Sequence, residues 1–313
     1  MKPKVIGAGI LLCIMLVSCL NAEPESIPVL KGPYLGQTPP GSVPEIFAPG
    51  VVSKDGNQSK LFLTPDGTEL IFSSMLVVPG KENNPAGRDI SFISMKMVDN
   101  IWGEPVVLPF SRAFTNDEPA LSYDGEKLFF VSNRPKGSHT DAEMMPDIWM
   151  VGKSGGEWSA PINVGATVNT DDVEVQPFYS TDDKLYFNRR DGIYYSQFSD
   201  DRFSAPVKLD EKIFKGRLSG LCISPDNAVL MVHSNMEGGL GSFDLYVSFR
   251  HETGTWSNLV NVGDPINSRE SEANATFSPD GKYVFFSRSG DIYWVSASSL
   301  ERLKEKVLLQ EKD

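Results

Sequence analysis

Hydrophobic positions along most of the chain come in short runs, each closed by a polar turn. One turn recurs five times, as Thr64-Pro65-Asp66-Gly67, Ser122-Tyr123-Asp124-Gly125, Ser180-Thr181-Asp182-Asp183, Ser224-Pro225-Asp226-Asn227 and Ser278-Pro279-Asp280-Gly281. A short apolar stretch precedes each copy. An aromatic-rich stretch follows it: Leu70-Ile71-Phe72, Leu128-Phe129-Phe130, Leu185-Tyr186-Phe187, Leu230-Met231-Val232 and Val284-Phe285-Phe286. An Asp-Gly step between two such runs predicts a hairpin, because glycine supplies the positive φ of a tight turn. The third copy has Asp183 in place of that glycine, which weakens the prediction there. A third run follows in every unit, at Asp89-Ile90, Asp147-Ile148-Trp149, Gly192-Ile193-Tyr194-Tyr195, Asp244-Leu245-Tyr246 and Asp291-Ile292-Tyr293-Trp294. A fourth element, Trp102-Gly103-Glu104-Pro105, recurs from Trp158, Phe203 and Trp256.

Four strands in each unit of ~40–50 residues is the pattern of a β-propeller blade. The expected fold is therefore all-β, with five four-stranded blades, or six if residues 34–60 hide a degenerate unit. The last unit has no fourth element of its own. Ala48-Pro49-Gly50-Val51-Val52-Ser53 resembles Val262-Gly263-Asp264-Pro265-Ile266-Asn267-Ser268, so the N-terminal segment is expected to supply the missing outer strand and remove an open edge. After the ring, Ser298-Ser299-Leu300-Glu301 reads as a capping box. Leu300, Leu303, Val307 and Leu308 share one face at helical spacing, which predicts an amphipathic helix over 298–313 packed on the ring.

The N-terminus reads differently. Lys2 and Lys4 precede an apolar run from Val5 to Val17, at roughly 13 residues too short for the ~20 that span a bilayer. Leu16-Val17-Ser18-Cys19 resembles the bacterial lipobox, in which the cysteine is acylated and becomes the new N-terminus. The expected layout is a signal peptide over 1–18, a lipidated Cys19 with a tether over 19–33, and a propeller over 34–297. Leu20 after the cysteine implies, by the same resemblance, sorting to the outer membrane on its periplasmic side. Membrane contact is then through the lipid.

The blade motifs carry a wider resemblance. Ser-Pro-Asp-Gly before an aromatic strand, then Ser132-Asn133-Arg134-Pro135 and Asp147-Ile148-Trp149, look like the WD-repeat-like blades of TolB-type propellers, over about residues 44–297. The resemblance implies a cell-envelope protein and is specific for fold, not for function.

Composition narrows the function. The 313 residues carry 41 acidic against 29 basic side chains, a net charge of −12, which excludes the basic footprint of a nucleic-acid binder. Of three cysteines, Cys13 leaves with the signal and Cys19 carries the lipid, so only Cys222 is expected in the folded part. Neither an internal disulfide nor a cysteine zinc site is expected, and Cys222 reads as a buried small hydrophobe. No cofactor motif is present. Gly238-Gly239-Leu240-Gly241 lacks the Lys and the following helix of a phosphate cradle. Asp141, Glu143 and Asp147 match no calcium loop.

Candidate chemistry concentrates at the blade ends that converge on the axis. Asp117-Glu118, Glu174, Arg217 and Glu270/Glu272 enter first strands; Arg134, Arg189-Arg190, His233 and Arg288 leave second strands. The candidate ligand-binding residues are Glu118, Arg134, Glu174, Arg190, Arg217, His233, Glu272 and Arg288, facing a peptide, a glycan or an envelope protein. The structural alternative is Glu–Arg pairing between neighbouring blades. Two opposed carboxylates among Asp117, Glu118, Glu174 and Glu272, with Glu118, Glu174 and Glu272 foremost, could instead serve a carbohydrate-active hydrolase or lyase. No Gly-x-Ser-x-Gly elbow accompanies His139, His233 or His251. His233 stands where other units have Ser73, Val131, Asn188 and Ser287, and His251 reads as a solvated turn residue.

Overall fold

The recurrent turn folds alike in every unit because its hydroxyl serves two masters. In a computed structural model, which describes residues 29–54, 58–75, 90–112, 114–135 and 146–311, Thr64 Oγ1 donates to Asp66 at 2.6 Å and Ser278 Oγ to Asp280 at 2.7 Å. The same hydroxyls accept the backbone N–H that opens the next strand, from Glu69 at 3.0 Å and Tyr283 at 2.9 Å. Asp183 and Asn227 take the left-handed backbone that Gly67, Gly125 and Gly281 take elsewhere. Short polar side chains tolerate that region, so the third hairpin forms despite its missing glycine.

Five antiparallel sheets result. After β1 (Glu45–Ile46), the first blade holds β2 (Gln58–Leu63), β3 (Glu69–Met75), β4 (Ile90–Val98), β5 (Ile101–Trp102) and β6 (Val106–Val107). The second holds β7 (Asn116–Leu121), β8 (Lys127–Ser132), β9 (Asp147–Ser154), β10 (Glu157–Trp158) and β11 (Ile162–Asn163). The third holds β12 (Val175–Tyr179), β13 (Lys184–Arg189), β14 (Gly192–Ser199), β15 (Arg202–Phe203) and β16 (Val207–Lys208). The fourth holds β17 (Leu218–Ile223), β18 (Val229–Ser234), β19 (Asp244–Phe249) and β20 (Val260–Asn261); the fifth holds β21 (Glu272–Phe277), β22 (Tyr283–Arg288) and β23 (Asp291–Ser296). The protein is a five-bladed β-propeller. In the first three blades the outer strand is broken in two by the aromatic-x-x-Pro step, and both pieces pair with the third strand.

Closure comes from the N-terminal side. Glu45 and Ile46 pair with Trp294 and Tyr293 of β23. Ala48–Ser53, which resembles the end of the fourth blade, forms the turn after this strand. Ser53 Oγ donates to the Ile292 carbonyl at 3.1 Å and accepts its N–H at 2.9 Å. Asn169 and Asn267 clamp Ile148 and Leu245 in the same way. Phe47, fully buried, meets the rings of Phe285 and Trp294 at 5.2 Å each. The described part of the expected tether is docked: Leu30 and Gly32 exchange backbone bonds with Trp102 and Asn100.

The C-terminal helix α1 (Glu301–Gln310) packs on the fourth and fifth blades through Leu300 and Val307. The predicted capping box does not form. Leu300 is the N-cap and gives no side-chain bond, while Ser299 Oγ donates to the Ser296 carbonyl. Glu311, just beyond the helix, ties it to His251 at 3.0 Å and to Asn258, so His251 is an anchor of this helix.

Candidate functional site

First strands β7, β12, β17 and β21 each carry a bulge near the axis. Its residue, Glu118, Gln176, Gly220 or Asn274, has a positive φ. The bulge frees a backbone N–H, and in β12, β17 and β21 it is met by a side chain of the preceding blade. Glu118 Oε2 accepts from the Gln176 N–H, and Gln176 Oε1 accepts from the Gly220 N–H at 2.8 Å. Gly220 has no side chain to continue the ring. His233, opposite Ser219 on β18, fills its place, and His233 Nδ1 accepts the Asn274 N–H at 3.3 Å. That bond puts the proton of the neutral ring on Nε2. A Cβ at Gly220 would lie 2.4 Å from the His233 Nδ1 and Cε1. His233 and Gly220 are thus one substitution in two halves, which accounts for the histidine that breaks its own repeat.

A double-mutant cycle checks this pairing. Gly220→Gln alone should cost roughly 1–3 kcal/mol in urea unfolding, from steric overlap and backbone strain. His233→Ser in the same chain should recover most of the loss by restoring the ring of the third blade. Additive single effects would exclude the coupling.

Lys60 occupies the ring position in the first blade, and it differs from all the others. Its irregularity falls one residue earlier, between Gln58 and Lys60. An ammonium accepts no hydrogen bond, so Lys60 cannot receive the N–H of the next blade. The Glu118 N–H turns instead to its own neighbour, Asp117 Oδ1, at 2.8 Å. Lys60 is 3% exposed, and no acid among the described residues lies within ion-pair distance of it. Its Nζ sits 5.6 Å from the Phe62 ring centroid.

Lys60, Glu118, Gln176, His233 and Asn274 line one axial cavity of about 480 Å³, with Asp117, Ser59 and Ser287 beside them. Burial pulls the Lys60 ammonium below its usual range, partly opposed by Glu118. Burial, then the Asp117 charge, pushes the Glu118 carboxyl up to about 7 against the pull of the Gln176 N–H and Lys60. Burial and the Lys60 charge bring His233 down to about 4. Cys222 on β17 is fully buried, and burial raises its thiol to about 12, which makes it an inert core group.

A folded-state value of about 7, above the ordinary 4.5, means that Glu118 stabilises the fold fully below pH 4.5 and loses that contribution as pH rises through 7. His233, lowered from 6.5, works in the opposite sense at acid pH. Above pH 6.5 the His233 contribution is complete, and the lowered Lys60 adds a slope of opposite sign toward alkaline pH, so the Glu118 effect is read as the difference between wild type and variant. Glu118→Gln should therefore raise stability at pH 8 relative to wild type by about 1–3 kcal/mol and flatten the slope between pH 6.5 and 8. Parallel wild-type and variant profiles would show that Glu118 is ionised normally.

The other carboxylates of the sequence analysis have a different place. Glu174 and Glu272 are completely buried. Glu174 accepts from the Thr170 N–H and hydroxyl and from Arg189 Nε at 3.0 Å. Glu272 accepts from the Ser268 N–H and hydroxyl and from Arg288 Nε at 2.7 Å. Each pair joins the first and second strands of one blade, not neighbouring blades as expected, because the two positions face each other in the register. Gln58 and Asn116 do the same work in the first two blades, holding Lys54 and the Ser111 and Phe114 carbonyls. Arg134 reaches back to Asn116 at 2.7 Å and stacks over Phe130 and Trp149. Glu174, Glu272, Arg134 and Arg288 are thus struts outside the axial cavity.

Arg190 and Arg217 lie on a second cavity of about 500 Å³, between the third and fourth blades. Glu270, exposed, accepts from Ser289. Of the weak calcium candidates, Asp141 and Glu143 lie outside the described residues, as do Cys19 and the whole leader. Asp147 is buried and accepts from Asn163. Among the described residues no cluster of ligating side chains could hold a metal, and no helix is long and apolar enough to cross a membrane.

Lys60 was the residue missed. It lies in Gln58-Ser59-Lys60-Leu61, which reads as an ordinary strand start. The available signal was its distance before the turn, the same as that of Glu118, Gln176, Gly220 and Asn274.

No protein-family model matches the chain, and no curated protein does. Solved structures similar to it include TolB from Acinetobacter baumannii, at 17% identity and TM-score 0.44, over 76% of this chain and 53% of that one. The Pseudomonas aeruginosa periplasmic gluconolactonase PpgL is 14% identical, with TM-score 0.40, over 74% of this chain and 64% of that one. A puromycin-hydrolyzing peptidase of Mycobacterium tuberculosis is 17% identical, with TM-score 0.40, over 75% and 35%. The chain thus spans about half the length of TolB and less than two thirds of the gluconolactonase.

Proposed function

We propose that the protein is a lipid-anchored cell-envelope propeller that binds, without transforming it, a small polar ligand whose anionic group meets Lys60 in the axial cavity. The anchor and the compartment rest on Leu16-Val17-Ser18-Cys19 and the short apolar run before it. The binding reading rests on Lys60. Glu118, Gln176 and His233 each accept a neighbouring blade's N–H, whereas Lys60 forgoes that contact and buries an ammonium beside an open cavity. A buried charge without a counter-ion is costly, and an incoming anion supplies one. Gln176, Asn274 and His233 Nε2–H add polar groups that orient a ligand.

Hydrolysis by two carboxylates has less support. Glu174 and Glu272 are spent as struts, which leaves Asp117 and Glu118 on the cavity, adjacent in sequence and with Asp117 accepting the Glu118 N–H rather than opposed across the axis. A thermal-shift and turnover screen of the full chain against carboxylates, glycans and peptides tests the choice. Stabilisation without turnover is expected. Turnover abolished by Glu118→Gln would replace binding with a carbohydrate-active or related hydrolase.

A further inference from the structure

We infer that the groove between the third and fourth blades is a carboxylate subsite continuous with the axial cavity, so that the ligand is an elongated molecule with two carboxylates, one at Lys60 and one at Arg217. The inference rests on the axial reading for its first carboxylate and on independent geometry for its second.

The groove is lined by Gln176, Asn188, Arg189, Arg190, Arg217 and Ser219, and Gln176 is also in the wall of the axial cavity. The three guanidiniums are not equivalent. Arg189 is held by Glu174 and the Val168 carbonyl, with its guanidinium 4.9 Å from the Tyr194 ring centroid. Arg190 pairs with Asp172, but the two side chains are 63% and 46% exposed, so the bond exchanges readily with solvent or ligand. Arg217 is exposed, and its side chain makes no hydrogen bond or ion pair among the described residues. The acid in the lining, Asp191, is drawn to Lys208 at 3.0 Å.

In a chain of net charge −12 this is a local reversal of sign. One uncommitted guanidinium and one exchangeable guanidinium fit a single carboxylate, which a planar fork of donors grips in two places. A doubly charged phosphate would find too little cationic charge here.

Titration calorimetry of the full chain with straight-chain dicarboxylates from glutarate to sebacate, alongside their half-amides, tests the inference. At a bridging length the diacid should bind at least about tenfold more tightly than its half-amide, an increment of about 1.4 kcal/mol. Arg190→Gln combined with Arg217→Gln should erase that gain without lowering the melting temperature, since both side chains are exposed. Diacids no tighter than half-amides at every length, or a gain that survives the double variant, would overturn the subsite. Half-amide binding that needs Lys60, with no diacid gain, would overturn the subsite and leave the axial site standing. Diacid binding that needs Arg217 but not Lys60 would keep the groove and overturn the axial site.

Discussion

Glu272→Ala is expected to destabilise the protein by about 3–5 kcal/mol, the cost of leaving one member of a buried ion pair uncompensated. Glu272 is completely buried and accepts three hydrogen bonds, at 3.1 Å and 2.6 Å from Ser268 and 2.7 Å from Arg288. Its removal orphans an arginine that is only 13% exposed. Arg288 would keep the Pro265 and Ile266 carbonyls and the Tyr293 ring, but no negative charge. The loop that enters β21 would also lose its tie to the second strand. Glu272→Gln with Arg288→Met removes both charges and should cost much less. Urea unfolding of the single and double variants measures the difference. A loss below about 1 kcal/mol for Glu272→Ala would mean that the pair is an ordinary surface contact.

Phe47→Ala should cost a similar amount, about 3–5 kcal/mol, but for a different reason. Phe47 has no exposed surface and lies against Phe285 and Trp294. It follows the two-residue strand β1, which by itself gives the seam little backbone bonding. The ring is therefore held shut by this aromatic cluster and by Ser53 on Ile292. Loss of the phenyl ring leaves a cavity at the junction of the chain's early segment and its last blade. The effect should appear as faster hydrogen exchange at Trp294 and Tyr293 before the other blades open. Uniform destabilisation of all five blades, with no early exchange at the seam, would show that closure is not the weak point.

The contrast between the legible and the illegible parts follows from range. The hairpins were legible because the hydroxyl of Thr64 or Ser278 acts within five residues of itself. Closure was legible because the fifth unit lacked a fourth element and residues 48–53 resembled the segment that ends the fourth unit. The partners of Glu174 and Glu272 were misjudged, since alternating acids and arginines look the same whether they pair within a blade or between blades. Strand register, which brings Glu272 opposite Arg288, decides it. His233 stood out as an exception in its column, yet its explanation is Gly220 on the neighbouring strand. Lys60 was invisible for the opposite reason. A lysine at the start of a strand is unremarkable until Glu118, Gln176 and His233 are seen to accept hydrogen bonds around the same axis.

The most direct test is the melting temperature of Lys60→Met, with and without a bridging dicarboxylate. A lysine that serves a ligand contributes nothing to the empty fold. The variant should melt no lower than wild type, since methionine fills the same volume without a buried charge, and the dicarboxylate should no longer raise its melting temperature. A variant that melts several degrees lower, and is still stabilised by the ligand as wild type is, would make Lys60 a structural residue and place the binding site elsewhere.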